Sequence, residues 1–194
     1  MRRRQRGLQF YRKKKGLSMQ AVKEVFSWIV LSVLAGFLAF MVIWAVGLRT
    51  NMIGVSMEPG LTNGQGILVN RLKYRFFSPQ TGDVVVFLPN GNQNAHYYVK
   101  RVVAVPGQTV LIQNGILYID GKAQENEEMD LIASAGIAEN EIKLGRDEYF
   151  VLGDNCNNSE DSRSANVGPV LRSTIVGEAW FHFGNGTDGW GLIH

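Results

Sequence analysis

The chain has 194 residues, 20 Lys and Arg against 17 Asp and Glu, and 45% hydrophobic residues. That length holds one soluble domain plus a membrane segment, and a lone Cys156 excludes an intramolecular disulfide in any compartment. The basic excess is local. Nine of the basic residues lie at or before Lys23, with Glu24 the one acid among the first 24 residues, while the rest of the chain carries 11 basic and 16 acidic residues. The high charge therefore describes a tail, and the uncharged run after that tail points to a membrane surface rather than nucleic acid.

Residues 1–24 read as a basic cytoplasmic arm, disordered or interfacial. Residues 25–48 carry no charge and are closed off by Glu24 and Arg49. As a helix this run is about 36 Å long at about 1.5 Å per residue, enough to cross a hydrocarbon core of about 30 Å. Trp28 and Trp44 sit near its ends, where aromatic belts lie. A buried helix of a soluble protein seldom runs this far without a charge. A cleaved signal peptide is the other alternative, since Ala45-Val46-Gly47 offers small residues. The apolar run exceeds the about 7–15 residues of such peptides, so the reading is a retained, single-pass transmembrane anchor in the cell membrane. The basic flank then stays in the cytoplasm, and residues 49–194 form an extracytoplasmic β-rich domain.

Strands are expected at residues 67–70, 83–87, 97–105, 109–113, 116–119, 149–152 and 174–183, all rich in β-branched and aromatic residues and bounded by turn formers. Asn114-Gly115 between two of them tolerates the positive φ angles of a tight hairpin. The fold class is mainly β: a folded antiparallel sheet or small barrel after one N-terminal transmembrane helix. Residues 122–143 break the pattern with six acids and read as an inserted acidic loop with one helical turn. Phe76, Phe77, Trp180 and Trp190 suit either a bilayer interface or ordinary packing.

Two short stretches carry chemistry. Gly54-Val55-Ser56-Met57-Glu58-Pro59 places a serine in a turn just outside the span, and Tyr97-Tyr98-Val99-Lys100-Arg101-Val102-Val103 places a lysine in an apolar strand. Serine needs a base to take its proton. A buried lysine serves, because burial disfavours its charged form. Glu58 stands where a G-x-S-x-G elbow needs glycine, and no serine has a lysine three positions later. Neither an HExxH motif nor a Cys/His cluster is present, which argues against zinc. His96 shares a strand face with Tyr98 and Lys100 and is the one histidine suited to a triad. Lysines also snorkel from edge strands, so the residues alone leave the base open. A third stretch, residues 153–163, is a polar loop in which Asp154 or Asp161 is expected to pair with Arg163, and Ser159 to orient a lysine amine.

Taken together, Ser56-Met57-x-Pro59, Gly82-Asp83-Val84-Val85-Val86-Phe87, residues 98–107 (Tyr98-Val99-Lys100-Arg101 through Pro106-Gly107) and Gly153-Asp154-Asn155 through Asp161-Ser162-Arg163 resemble a type I signal peptidase. That family comprises membrane-bound serine endopeptidases that remove signal peptides from exported proteins. The resemblance implies Ser56 as nucleophile and Lys100 as general base. Ser159 would hydrogen-bond the lysine, with Asp161, Arg163 and Asp154 bracing the site. The Ser56 backbone N–H would act as oxyanion donor, because Gly54 lacks the hydroxyl that some relatives use there. Met57, Tyr98 and Val99 would shape pockets for an A-x-A-like cleavage site. No cofactor or metal is implied. The partners are preprotein signal peptides, membrane lipid and the protein-export machinery, and not nucleic acid. Lys100 and the single span resemble bacterial, Gram-positive members. Cys156 departs from the arginine common at that position.

Two other classes remain in view: a self-cleaving Ser-Lys repressor, which calls for a DNA-binding domain instead of a span, and a non-catalytic anchored binding module. Ala133-Ser134-Ala135-Gly136 also reads as an A-x-A site at which one molecule clips another after Ala135.

Overall fold

The computed structural model describes residues 18–92, 94–124, 131–184 and 189–193. The first 17 residues of the basic arm and residues 125–130 of the acidic insert lie outside them. The chain divides into two compact units, residues 1–41 and 42–194. The first contains most of helix α1 (Met19–Val46). Ser18 caps this helix by accepting a hydrogen bond from the Ala21 N–H at 3.1 Å. The helix thus starts at Met19, ahead of the expected span of residues 25–48, and Leu48 at the far end opens a strand instead of closing the anchor. Trp28, Phe37, Leu38 and Phe40 are exposed, and the stretch Met19–Trp44 is long and apolar enough to cross a membrane.

Among the described residues the second unit holds twelve strands: β1 (Leu48–Asn51), β2 (Gly66–Asn70), β3 (Val84–Phe87), β4 (Tyr98–Ala104), β5 (Thr109–Gln113), β6 (Ile116–Ile119), β7 (Lys122–Ala123), β8 (Ile142–Lys143), β9 (Glu148–Leu152), β10 (Val170–Leu171), β11 (Ile175–His182) and β12 (Gly191–Leu192). A four-residue helix, α2 (Lys73–Phe76), lies between β2 and β3. The strands form two antiparallel sheets. The larger runs β1-β2-β11-β3-β4-β9-β10 with β12 beside β11, and the smaller runs β7-β6-β5-β8. The mainly antiparallel β fold read from the sequence is the one observed, divided between two sheets.

The hairpin at Asn114-Gly115 forms as expected. Both residues take positive φ, 53° and 79°, and Gln113 pairs with Ile116. The acidic insert is less detached than expected. Its ends pair as β7 and β8 on the flanks of the small sheet, and a 3-10 turn at Gly136–Glu139 buries Ala138 completely. Ile132 is buried in the same core as Val110, Phe150 and Leu152. Ala135 is half-buried in αR backbone at the head of that turn, not in the extended form a protease takes up.

Phe76, Phe77 and Trp190 are exposed, whereas Trp180 is half-buried. Two further cores fill the large sheet: Met52, Met57, Leu61, Ile67 and Val69 with Val84, Val86 and Val99 on one side, and Val85, Phe87, Val102, Tyr149 and Val151 on the other. Both faces of β3 are therefore dry. That explains why β3 is an unbroken Val-Val-Val-Phe run with every residue buried. Any polar side chain on the inner half of β4 is forced into an apolar setting.

Candidate active site

Ser56 sits in a tight turn in which the Glu58 N–H donates to the Val55 carbonyl at 3.2 Å. Gly54 opens the turn at φ +85°, a conformation that L side chains rarely adopt, and its N–H is held by Asn63 Oδ1 at 2.9 Å. Met57 anchors the turn from below. It is 0% exposed and packs with Met52 and Leu61. From the sequence Met57 is expected to shape a substrate pocket; its side chain packs into the core and is not among the described residues that line the cleft at Ser56.

Lys100 comes from β4, opposite Val85 of β3. Its Nζ and Ser56 Oγ are hydrogen-bonded at 2.6 Å, with the lysine 4% and the serine 8% exposed. Burial of the ammonium lowers the lysine pKa to about 8, against the opposing pull of the Asp161 and Glu160 carboxylates. The Tyr98 ring faces the amine at 5.6 Å. His96 is exposed at the edge of the same cleft and makes no hydrogen bond to Ser56 among the described residues.

The polar loop closes the site from behind. Asp161 is 1% exposed and accepts from Arg163 Nε at 2.8 Å, from Arg163 Nη2 at 2.9 Å and from the Gly153 N–H at 3.2 Å. Arg163 also donates to the carbonyls of Cys156 and Ser134. The alternatives left open by the sequence resolve: Arg163 takes Asp161, while Asp154 pairs bidentately with Arg101 at 2.8 Å. From the sequence Ser159 is expected to hydrogen-bond the lysine. Its Oγ is buried and makes no hydrogen bond, to Lys100 or otherwise, among the described residues. It lies beside the Ser56 turn, because a Cβ on Gly153 would stand 2.4 Å from both Ser159 Oγ and the Ser56 carbonyl oxygen. Cys156 is buried, and its thiol donates to the Gly153 carbonyl at 3.1 Å. Burial pushes the thiol pKa up, away from the reactive thiolate.

A cleft of about 340 Å³ opens over the pair, lined among others by Ile53, Val55, His96, Tyr98, Val99 and Glu160. β4 pairs with β3 over residues 98–101, but β9 reaches it only from Arg101 onward. Residues 98–100 therefore have no strand on the β9 side among the described residues. Glu160 is a charged residue of the cleft to which the sequence assigns no role. It sits between Ser159 and Asp161 in the loop, and no local pattern shows that it turns toward Tyr98.

Residues 25–183 match the family model described as signal peptidase, peptidase S26. A probable signal peptidase I-1 of Synechocystis sp. is 36% identical over 134 residues, 66% of either chain. Signal peptidase IB of Staphylococcus aureus is 32% identical over 179 residues, covering 83% of this chain and 90% of the relative. A crystal structure of a signal peptidase I from Enterococcus faecalis aligns with 53% of this chain and 97% of its own, at a TM-score of 0.43 and 25% identity. With the family model spanning the anchor and most of the β domain, the chain belongs to the signal peptidase family, peptidase S26.

Proposed function

We propose that the protein is a membrane-anchored serine endopeptidase that removes N-terminal signal peptides from exported preproteins, with Ser56 as nucleophile and Lys100 as general base. Family membership supports signal peptide removal. The observation that carries the dyad is the 2.6 Å contact between two buried side chains, one of them a lysine with a lowered pKa.

The preprotein segment binds extended, adding its backbone to the unpaired edge of residues 98–100. Val99, 3% exposed, and Tyr98 line the cleft and leave room for small side chains, in keeping with an A-x-A-like site. Neutral Lys100 takes the Ser56 proton as Oγ attacks the scissile carbonyl carbon. The oxygen of the tetrahedral intermediate takes up negative charge beside the Ser56 N–H, which makes no hydrogen bond among the described residues. Protonated Lys100 then gives its proton to the leaving amine nitrogen. The acyl-enzyme forms, and Lys100 deprotonates a water that releases the acid and restores Ser56. While Lys100 is charged, its ammonium needs acceptors, and the orphaned Ser159 hydroxyl beside the turn is suited to be one. Asp161 with Arg163, and Asp154 with Arg101, hold the loop and β4 in register.

In this reading residues 1–24 stay cytoplasmic, residues 25–48 span the bilayer and residues 49–194 work on its outer side, where signal peptides emerge. Lipid and the export machinery are the surroundings this placement expects. The test is a preprotein with an A-x-A site, incubated with the full chain in detergent and mapped by mass spectrometry. A single cut directly after the second alanine is expected. An intact preprotein, or cuts scattered over other bonds, overturns the reading.

A further inference from the structure

Lys100 works as a neutral base, Asp161 is covered by Arg163 and Asp154 by Arg101. That leaves one carboxylate on the cleft without a counter-charge among the described residues. Glu160 lines the cleft with Ser56, His96, Tyr98, Lys100 and Asn158. It is exposed. Its Oε2 accepts a hydrogen bond from the Tyr98 hydroxyl at 3.0 Å, and it forms no ion pair among the described residues. The Tyr98 bond pins the carboxylate over the cleft instead of letting it swing into solvent. Tyr98 is two residues from Lys100 on the same face of β4. Ser56 and Glu160 line the same cleft, so the carboxylate faces the side chains of a substrate held there in extended form.

We propose that Glu160 is a specificity-determining residue that favours a lysine or arginine side chain in the substrate next to the scissile bond. The inference rests on the peptidase reading above and adds a substrate preference to it. An acid at the rim of an otherwise apolar cleft attracts a cationic side chain and repels an acidic one. Because the pair stays partly in water, the preference is modest and weakens with salt.

The test uses the full chain in detergent and a neutral A-x-A peptide, with each non-alanine position around the cut replaced in turn by Lys or Gln. The readout is the ratio of kcat/KM for the Lys and Gln peptides at each position, which cancels differences in folded fraction. At one or more positions the wild type is expected to prefer Lys by about three- to fivefold at low salt, less at high salt. Glu160→Gln keeps an acceptor for Tyr98 and removes the charge, so its ratio should fall to near one. Glu160→Lys should invert the ratio. Tyr98→Phe removes the strut and keeps the charge, so the preference for Lys should weaken without inverting. A flat wild-type ratio at every position, or an unchanged ratio in Glu160→Gln, overturns the proposal. A wild type that leaves the neutral peptide uncut contradicts the peptidase reading itself, and the proposal with it.

Discussion

The Asn155 N–H donates to the carbonyl of Ser56 at 3.0 Å. The loop of residues 153–163 is thereby fastened to the turn that carries Ser56, although nearly a hundred residues separate them in the chain. Gly153 makes that closeness possible. A Cβ there would stand 2.4 Å from Ser159 Oγ and 2.4 Å from the Ser56 carbonyl oxygen. Gly153→Ala is expected to cost about 1–3 kcal/mol of stability through overpacking. It should lower kcat more than it changes KM, by up to about 100-fold, because a small displacement of the nucleophile is enough. Thermal unfolding and steady-state kinetics on one preparation check both.

Arg163 binds the Asp161 carboxylate, the Cys156 carbonyl and the Ser134 carbonyl, and its own carbonyl accepts from Ile137. It joins the site to the turn in the insert. Arg163→Ala leaves Asp161, 1% exposed, charged and unpaired, at an expected cost of about 3–5 kcal/mol. Asp154→Ala should cost less, about 1–3 kcal/mol, because Arg101 keeps its bond to the Gly82 carbonyl and stays partly in water. Denaturant unfolding of the two variants should rank them in that order.

Activity should rise with pH. In the proposed mechanism Lys100 must be neutral to act, and its pKa is lowered to about 8, mainly by burial. Below that value kcat/KM should fall about tenfold per pH unit, as the charged fraction grows. The groups that set the value are the carboxylates of Asp161, Glu160 and Asp154, which raise it, and Arg163, which lowers it. Glu160→Gln removes a negative charge that favours the ammonium. The ascending limb should therefore move to lower pH, and a shift in the opposite direction would contradict the electrostatics.

The Cys156 thiol is buried, donates to the Gly153 carbonyl and has a raised pKa. The native protein should react with iodoacetamide at neutral pH at least about tenfold more slowly than the denatured chain. Cys156→Ser should fold and retain activity, since its hydroxyl donates to the same carbonyl. Intact-mass kinetics follow the first point and the peptide assay the second.

Much of this architecture is legible in the sequence where the pattern is long. The runs that became β3, β4, β5, β6, β9 and β11 are apolar enough to announce themselves, and Asn114-Gly115 fixes one register. β7, β8, β10 and β12 have two residues each and exist through their neighbours, so no local periodicity marks them. The division into two sheets depends on β5 and β6 pairing with the ends of the insert, a long-range event. In the site, Ser56 and Lys100 stand out by residue type and apolar context. The partner of Asp154 does not, because Arg101 and Arg163 are equally good arginines until the fold brings one near. Met57 shows the limit of reasoning from adjacency: next to Ser56 in sequence, it packs into the core with Met52 and Leu61, while Ser56, itself only 8% exposed, lines the cleft.

The most direct test of the account is cleavage of a synthetic A-x-A signal-peptide substrate in detergent by wild type, Ser56→Ala, Lys100→Ala and His96→Ala. Loss of the nucleophile or the base should lower kcat/KM by at least about 100- to 10,000-fold, while His96→Ala, exposed and unbonded to Ser56, stays within about twofold of wild type. Full activity in Lys100→Ala together with its loss in His96→Ala would contradict the Ser-Lys account.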